Sequence, residues 1–273
     1  MAHYRQKGGA DMIKYLGRKQ SSKNADWLYA MENIERLISR EEVNDFAEKA
    51  VADVQRESAD IKAAYAWSGG KDSIVLGDIC EKAGIETGYF AYSELDYPEF
   101  VRWCMEHKPD GVIPINTGYD LEWLSRHQNL IFAEGQLGQR WHIINQRGPF
   151  TDMFFDNGLD VLVVGHRLID GNVCGADGYI RKKSGEVRYA PLANWPHEAI
   201  LGYIHYNHLS MPPIYGWKDG FVIGTHAWPE REFCKSVTQG YQEVYDIDRS
   251  IVENAALVLS SARHFLESEV GRG

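Results

Sequence analysis

The chain has 273 residues, a formal net charge of −10, 44% hydrophobic residues and 25% charged residues. Such a length buries a large core, and the balance is that of an ordinary globular protein. The acidic surplus argues against nucleic-acid binding by the whole surface and leaves a nucleic acid only as a local substrate; with no run of about 18 apolar residues, no membrane span is expected.

Residues 1–24 form a polar tail, with Arg5, Lys7, Lys14, Arg18, Lys19 and Lys23 against Asp11. It lacks the apolar segment of a signal peptide. Its basic character fits a mobile tail or a partner-binding arm. Residues 25–58 read as an N-terminal helical layer. Trp27, Leu28, Met31, Ile34 and Leu37 have helical spacing, and Ser39 with Glu42 forms a capping box that restarts a helix to about Glu57. This layer offers a surface on which two copies could pair as a homodimer. Residues 59–232 read as a nucleotide-binding domain and 233–273 as a helical extension.

Within that domain, Ile61 to Trp67 has the length of a strand, and Ile74, Val75, Leu76, Ile79 and Cys80 have helical spacing. Glu86 to Tyr92 is a second strand. Pro98 to Met105 is a helix with proline in its first turn. Gly111 to Asn116 is a third strand, and short helices follow at Asp120 to Arg126 and Phe150 to Asp156. Asp160 to Gly165 is the clearest strand, a β-branched apolar run suited to burial on both faces. Leu168 to Tyr189 is rich in glycine and charge and reads as loop. Pro196 to Tyr206 is an amphipathic helix, Met211 to Trp228 an ordered covering loop, and Tyr241 to Glu267 one helix or a pair. Strands alternating with helices predict an α/β fold with an open, mainly parallel sheet.

The narrowest motif is Ser68-Gly69-Gly70-Lys71-Asp72-Ser73, in the turn between the first strand and its helix. It is not the Walker pattern, which spaces its glycines four residues apart. Two glycines let backbone N–H groups turn inward and let a ligand approach closely. The following helix aims its positive end at the same place. Ser68 and Ser73 add hydroxyls and Lys71 a cation, a set suited to a polyphosphate. Gly165-His166-Arg167 follows the Asp160 strand, so Arg167 lies on the same sheet edge and can grip an anion in a bidentate way. His166 fits a structural role as well as a proton carrier. Arg181, Lys182, Lys183 and Arg188 fit a solvated loop or a substrate-anion site. Asp96 could cap the next helix or meet Mg²⁺ or a ribose. Trp195, Tyr203, Tyr206, Tyr215, Trp217 and Trp228 could stack on a ring or simply pack. Cys80, Cys104, Cys174 and Cys234 form no Cys-x-x-Cys pair, which fits a reducing cytoplasm and supplies no local zinc or iron–sulfur ligand set.

Together these segments resemble the phosphoadenosine phosphosulfate (PAPS) reductase family, within the adenine nucleotide α-hydrolase group of ATP pyrophosphatases. Ser68–Ser73 matches the first family motif. Asp96-Tyr97-Pro98-Glu99 is similar to the Asp-Thr-Gly…Phe-Pro-Glu segment with its middle altered, and Gly165-His166-Arg167 to the Gly-x-Arg. Ala190–Trp195, Tyr203-Ile204, Pro213-Ile214-Tyr215 and Gly220–Gly224 resemble the motifs that follow. The resemblance implies a five-stranded parallel sheet flanked by helices. It implies ATP or an adenylyl sulfate in the loop, bound by Ser68, Gly69, Gly70, Lys71, Asp72, Ser73, Tyr92, Gly165 and Arg167. Lys71, Arg167 and Asp72 would be catalytic, with Asp72 a candidate Mg²⁺ ligand. The family's C-terminal Glu-Cys-Gly-Leu segment has no counterpart, and Thr225-His226-Ala227 stands where some relatives carry cluster-binding cysteines, so no iron–sulfur cluster is expected. Cleavage of ATP between the α and β phosphates to activate an unknown acceptor is therefore expected. The alternatives are a sulfonucleotide reductase using Cys174 or Cys234 or a sulfotransferase-like enzyme, and an adenine-nucleotide-binding module without turnover.

Overall fold

The computed structural model describes residues 3–5, 13–17, 22–231 and 234–269. β1 (His3–Arg5) and β2 (Ile13–Tyr15) pair antiparallel, with Tyr4 opposite Lys14. Part of the expected tail is thus a small sheet. The tail's other residues, including Lys7, Arg18 and Lys19, lie outside the described ones. The helical layer consists of α1 (Asn24–Glu32), α2 (Ile34–Leu37) and α3 (Arg40–Ser58). The capping box is present: Glu42 N–H donates to Ser39 Oγ at 3.2 Å, and Ser39 N–H donates to the Glu42 carboxylate at 2.9 Å.

The main sheet contains β3 (Ala63–Ala66), β4 (Gly88–Tyr92), β5 (Val112–Asn116), β6 (Val161–Val163), β7 (Tyr179–Arg181) and β8 (Val187–Tyr189). Their order is β5-β4-β3-β6-β8-β7. β3 runs parallel to β4 and β6, with Tyr65 beside Gly88 and Ala64 beside Leu162. Gly88 has no side chain because a Cβ there would fall 2.7 Å from the Tyr65 ring. β8 runs parallel to β6, and β7 antiparallel to β8. The sheet therefore has six strands rather than the expected five. The segment Leu168 to Tyr189, expected as loop, folds its second half into the β7–β8 hairpin. Its charges pair internally: the fully buried Glu186 accepts from Lys182 at 2.6 Å and also from Arg188, so a polar sequence can enter the sheet.

Helix α4 (Lys71–Lys82) leads from the glycine turn, and α9 (His197–Tyr206) packs against α3 and α4. Between β4 and β6 the chain forms α5 (Pro98–His107), α6 (Leu121–Ser125), α7 (Gly135–His142) and α8 (Gly148–Asp156). The covering loop contains a 3₁₀ turn, Pro213–Gly216, and the short α10 (Gly220–Ile223). The C-terminal region is three helices, α11 (Val237–Ile247), α12 (Arg249–Val258) and α13 (Ser260–Glu269). Asp248 separates the first two by accepting the Ser250 N–H at 2.9 Å.

The chain divides into two compact units. One comprises Met1–Phe90, His107–Ile113 and Thr151–Gly224, the other Ala91–Glu106, Pro114–Phe150 and Thr225–Gly273. The first has a core of Trp27, Tyr65, Trp67, Leu76 and Phe221, and the second one of Tyr97, Trp141, Trp228 and Tyr241. Among the described residues no helix is long and apolar enough to cross a membrane.

Candidate active site

The loop after β3 is shaped by its own side chains. Gly69 has φ +68°, a conformation that glycine adopts without a Cβ clash. The Ser73 hydroxyl donates to Gly70 C=O at 2.9 Å and accepts from Ser68 N–H at 3.0 Å and from the Ser68 hydroxyl at 3.2 Å. Ser73 thus staples the turn. Gly70 precedes α4 with no side-chain cap on the helix. The first-turn amides have no intrahelical acceptors, so they present a positive end to whatever enters the turn. The Lys71 amide is already engaged: it donates to Tyr215 Oη at 2.8 Å. Burial, the larger effect, and the nearby Asp72 push the Tyr215 phenol well above its usual range, so it stays protonated.

Lys71 is only 4% exposed. Its Nζ lies 2.6 Å from Asp72 Oδ2, and the other Asp72 oxygen, Oδ1, lies 2.8 Å from Arg167 Nε. Asp72 therefore bridges the two cations. Arg167 is fully buried. Its Nη2 lies 2.8 Å from Asp170 Oδ2 and 3.0 Å from His197 Nδ1, and its Nη1 donates to Trp195 C=O at 3.3 Å. A donor aimed at Nδ1 requires the lone pair there. Gly165 allows this closeness: a Cβ on it would sit 3.3 Å from the Asp72 carbonyl oxygen, so the residue after β6 abuts the first turn of α4.

The expected residues are thus partly brought together. Ser68, Gly69, Gly70, Lys71, Asp72, Ser73, Gly165 and Arg167 form one cluster. Tyr92 belongs to the other unit, where its carbonyl accepts the Thr117 N–H at 2.8 Å. Asp96 also lies there and closes a turn, its Oδ2 accepting from Ser93 N–H at 2.7 Å and Ser93 Oγ at 3.2 Å. Burial above all pushes its carboxyl up to about 6. Of the aromatic candidates in the first unit, Tyr203 packs on Trp195 and donates to Asp78, Tyr206 donates to Ile38 C=O, and Tyr215 reaches the loop. Arg181 pairs with Asp177 at 2.8 Å, and Lys182 and Arg188 pair with Glu186.

Three contributors escaped the sequence reading. Asp170 and His197 flank Arg167, and Trp27 of α1 places its ring 5.2 Å from Lys71 Nζ. Trp27 and His197 stand outside the quoted motifs, and no local pattern marks them.

Among the described residues no group of three or more His, Cys, Asp or Glu could hold a metal. Asp72 is the carboxylate at the turn. Mg²⁺ typically takes one or two protein carboxylates and completes its shell with phosphate and water, so this donor set fits an ion carried in by a nucleotide.

The sequence pattern of the phosphoadenosine phosphosulfate reductase domain matches residues 62–223. A similar solved structure is that of phosphoadenylyl-sulfate (PAPS) reductase from Candida auris in a phosphate complex. It shares 15% identity with a TM-score of 0.49, over 66% of this chain and 94% of that one. No curated protein matches the chain.

Proposed function

Because the chain belongs to the phosphoadenosine phosphosulfate reductase domain family, we propose that it binds an adenine nucleotide across Gly69–Ser73 and cleaves ATP between its α and β phosphates. The observation that carries this reading is the chain of charge from Lys71 through Asp72 to Arg167 at the open end of α4. An acceptor oxygen attacks the α-phosphorus. The bond to the α–β bridging oxygen breaks, pyrophosphate departs with that electron pair, and AMP remains on the acceptor. Transfer of this kind depends on positioning and on stabilising charge.

Each residue has a defined task. The Gly70, Asp72 and Ser73 amides hold the departing phosphates. Lys71 turns its ammonium from Asp72 to the pyrophosphate as charge develops there. Arg167, with all its bonds inside the protein, keeps Asp72 in place and serves as a positioning residue. Asp72 would hold a Mg²⁺ that enters with the nucleotide, and such an ion would supply charge neutralisation at the phosphates.

Thiol chemistry is the second reading that the family allows. Burial pushes the Cys80, Cys104 and Cys174 thiols up, and Cys234 up to about 11, which disfavours the reactive thiolate. One observation keeps sulfonucleotide reduction as a second reading: Cys174 is only half-buried and lies in the loop that begins after Arg167.

Incubation with ATP, Mg²⁺ and a cell extract as acceptor source should release pyrophosphate. Lys71→Ala should lower that rate by ~10²–10³, the usual cost of removing one charge-stabilising donor. Unchanged release in Lys71→Ala would remove the assignment. Sulfite formation from a sulfonucleotide and a dithiol, lost in Cys174→Ser, would establish the second reading instead.

A further inference from the structure

We infer that Trp27 is the positioning residue for Lys71, so that α1, which precedes the residues matched by the family pattern, forms a wall of the nucleotide site. The inference deepens the proposed function and rests on it for the role of Lys71, but its geometry stands alone.

Trp27 is fully buried. Its ring stacks on Phe221 at 5.4 Å with 5° between planes and meets the edge of His197 at 4.4 Å. Lys71 Nζ lies over the same ring at 5.2 Å. The helix is pinned in this register by Asn24, whose Oδ1 accepts the Phe221 N–H at 3.0 Å. Among the described residues the buried Trp27 indole N–H has no hydrogen-bond partner. An orphan donor is costly, and phenylalanine would fill a core position without one. What indole offers in exchange is the strongest aromatic face for a cation. The ammonium is thus held between a carboxylate, Asp72, and an uncharged π-face. A second carboxylate would hold Lys71 too but would repel an incoming polyphosphate. The indole attracts the cation without adding negative charge, so Lys71 stays near the loop and can exchange Asp72 for phosphate. The same ring touches His197, which accepts from Arg167, so Trp27 meets Lys71 directly and Arg167 through the imidazole.

Two measurements on the full chain test this without any ligand. The first is trace acetylation with acetic anhydride, read by mass spectrometry at Lys71 against the exposed Lys183. Lys71 should be protected in the wild type. Trp27→Leu should raise its labelling about fivefold or more, and Trp27→Phe, which restores a π-face, should keep it within about twofold of wild type. A folded Trp27→Leu protein with unchanged Lys71 labelling overturns the inference. The second measurement needs no Trp27 variant to fold: a ring-shifted lysine ε-methylene resonance should be present in the wild type and vanish in Lys71→Arg. Its absence also overturns the inference. Failure of the wild type to release pyrophosphate would instead overturn the proposed function and leave both readouts intact. Where turnover is present, Trp27→Leu should raise the KM for ATP about tenfold, with a smaller change in kcat.

Discussion

Replacing Arg167 with methionine separates its structural role from a ligand-binding one. The guanidinium is fully buried and faces two carboxylates, Asp72 and Asp170, each at 2.8 Å. Removing one partner of a buried ion pair typically costs about 3–5 kcal/mol, because the other is left uncompensated. Here Asp72 keeps the Lys71 ammonium at 2.6 Å, while Asp170 loses the guanidinium and is 14% exposed, so water softens its loss. The low end applies, about 3 kcal/mol, or roughly two orders of magnitude in the unfolding equilibrium. Urea unfolding followed by tryptophan fluorescence measures it directly. Adding Asp170→Asn to the Arg167→Met protein should recover about half the loss, since the stranded charge is then gone. A single variant within about 1 kcal/mol of wild type, or a double variant no more stable than the single, would refute the assignment.

Two other sites give independent tests. At Gly202 in α9 a Cβ would sit 2.7 Å from Ile38 Cγ2 and 2.9 Å from Val43 Cγ2, so Gly202→Ala sets an overpacking cost of about 1–3 kcal/mol against about 1 kcal/mol of helix propensity. A net loss of about 1 kcal/mol is expected, and a higher urea midpoint for the variant would contradict it. Asp96, pushed up to about 6 by burial from an ordinary 3.8, holds a proton in the folded chain that the unfolded chain releases between those values. Its contribution is therefore complete below pH 3.8 and lost as pH rises through 6, on the order of 3 kcal/mol in all. Asp96→Asn, always neutral, should flatten the fall in urea midpoint between pH 4 and pH 7; an identical slope in both proteins would exclude the linkage.

What could be read in advance was whatever a short stretch encodes by itself. The capping box of Ser39 and Glu42, the apolar run of β6 and the glycine turn into α4 all depend on neighbours within a few residues. The β7–β8 hairpin does not. Its residues look like loop until β6 lies alongside, with Leu162 beside Arg188, and Glu186 gathers Lys182 and Arg188. The same distinction divides the site. Lys71, Asp72 and Arg167 are marked by motifs, whereas the partners that fix them come from afar. Tyr215, whose hydroxyl takes the Lys71 amide, lies 144 residues further on. Trp27 belongs to a helix with an unremarkable pattern, and only packing brings its ring to the loop. Tyr92, which the family resemblance names, falls by compactness with a different group of residues.

The sheet closes on one side with β7, a border strand only three residues long. Arg181 ends it, and the exposed Lys183 lies two residues on. A ladder so brief and so charged gives another chain little main chain to pair with, which blunts recruitment of further copies into a growing fibre. The hairpin thus shields the parallel strands behind it from aggregation while keeping their order around the glycine turn.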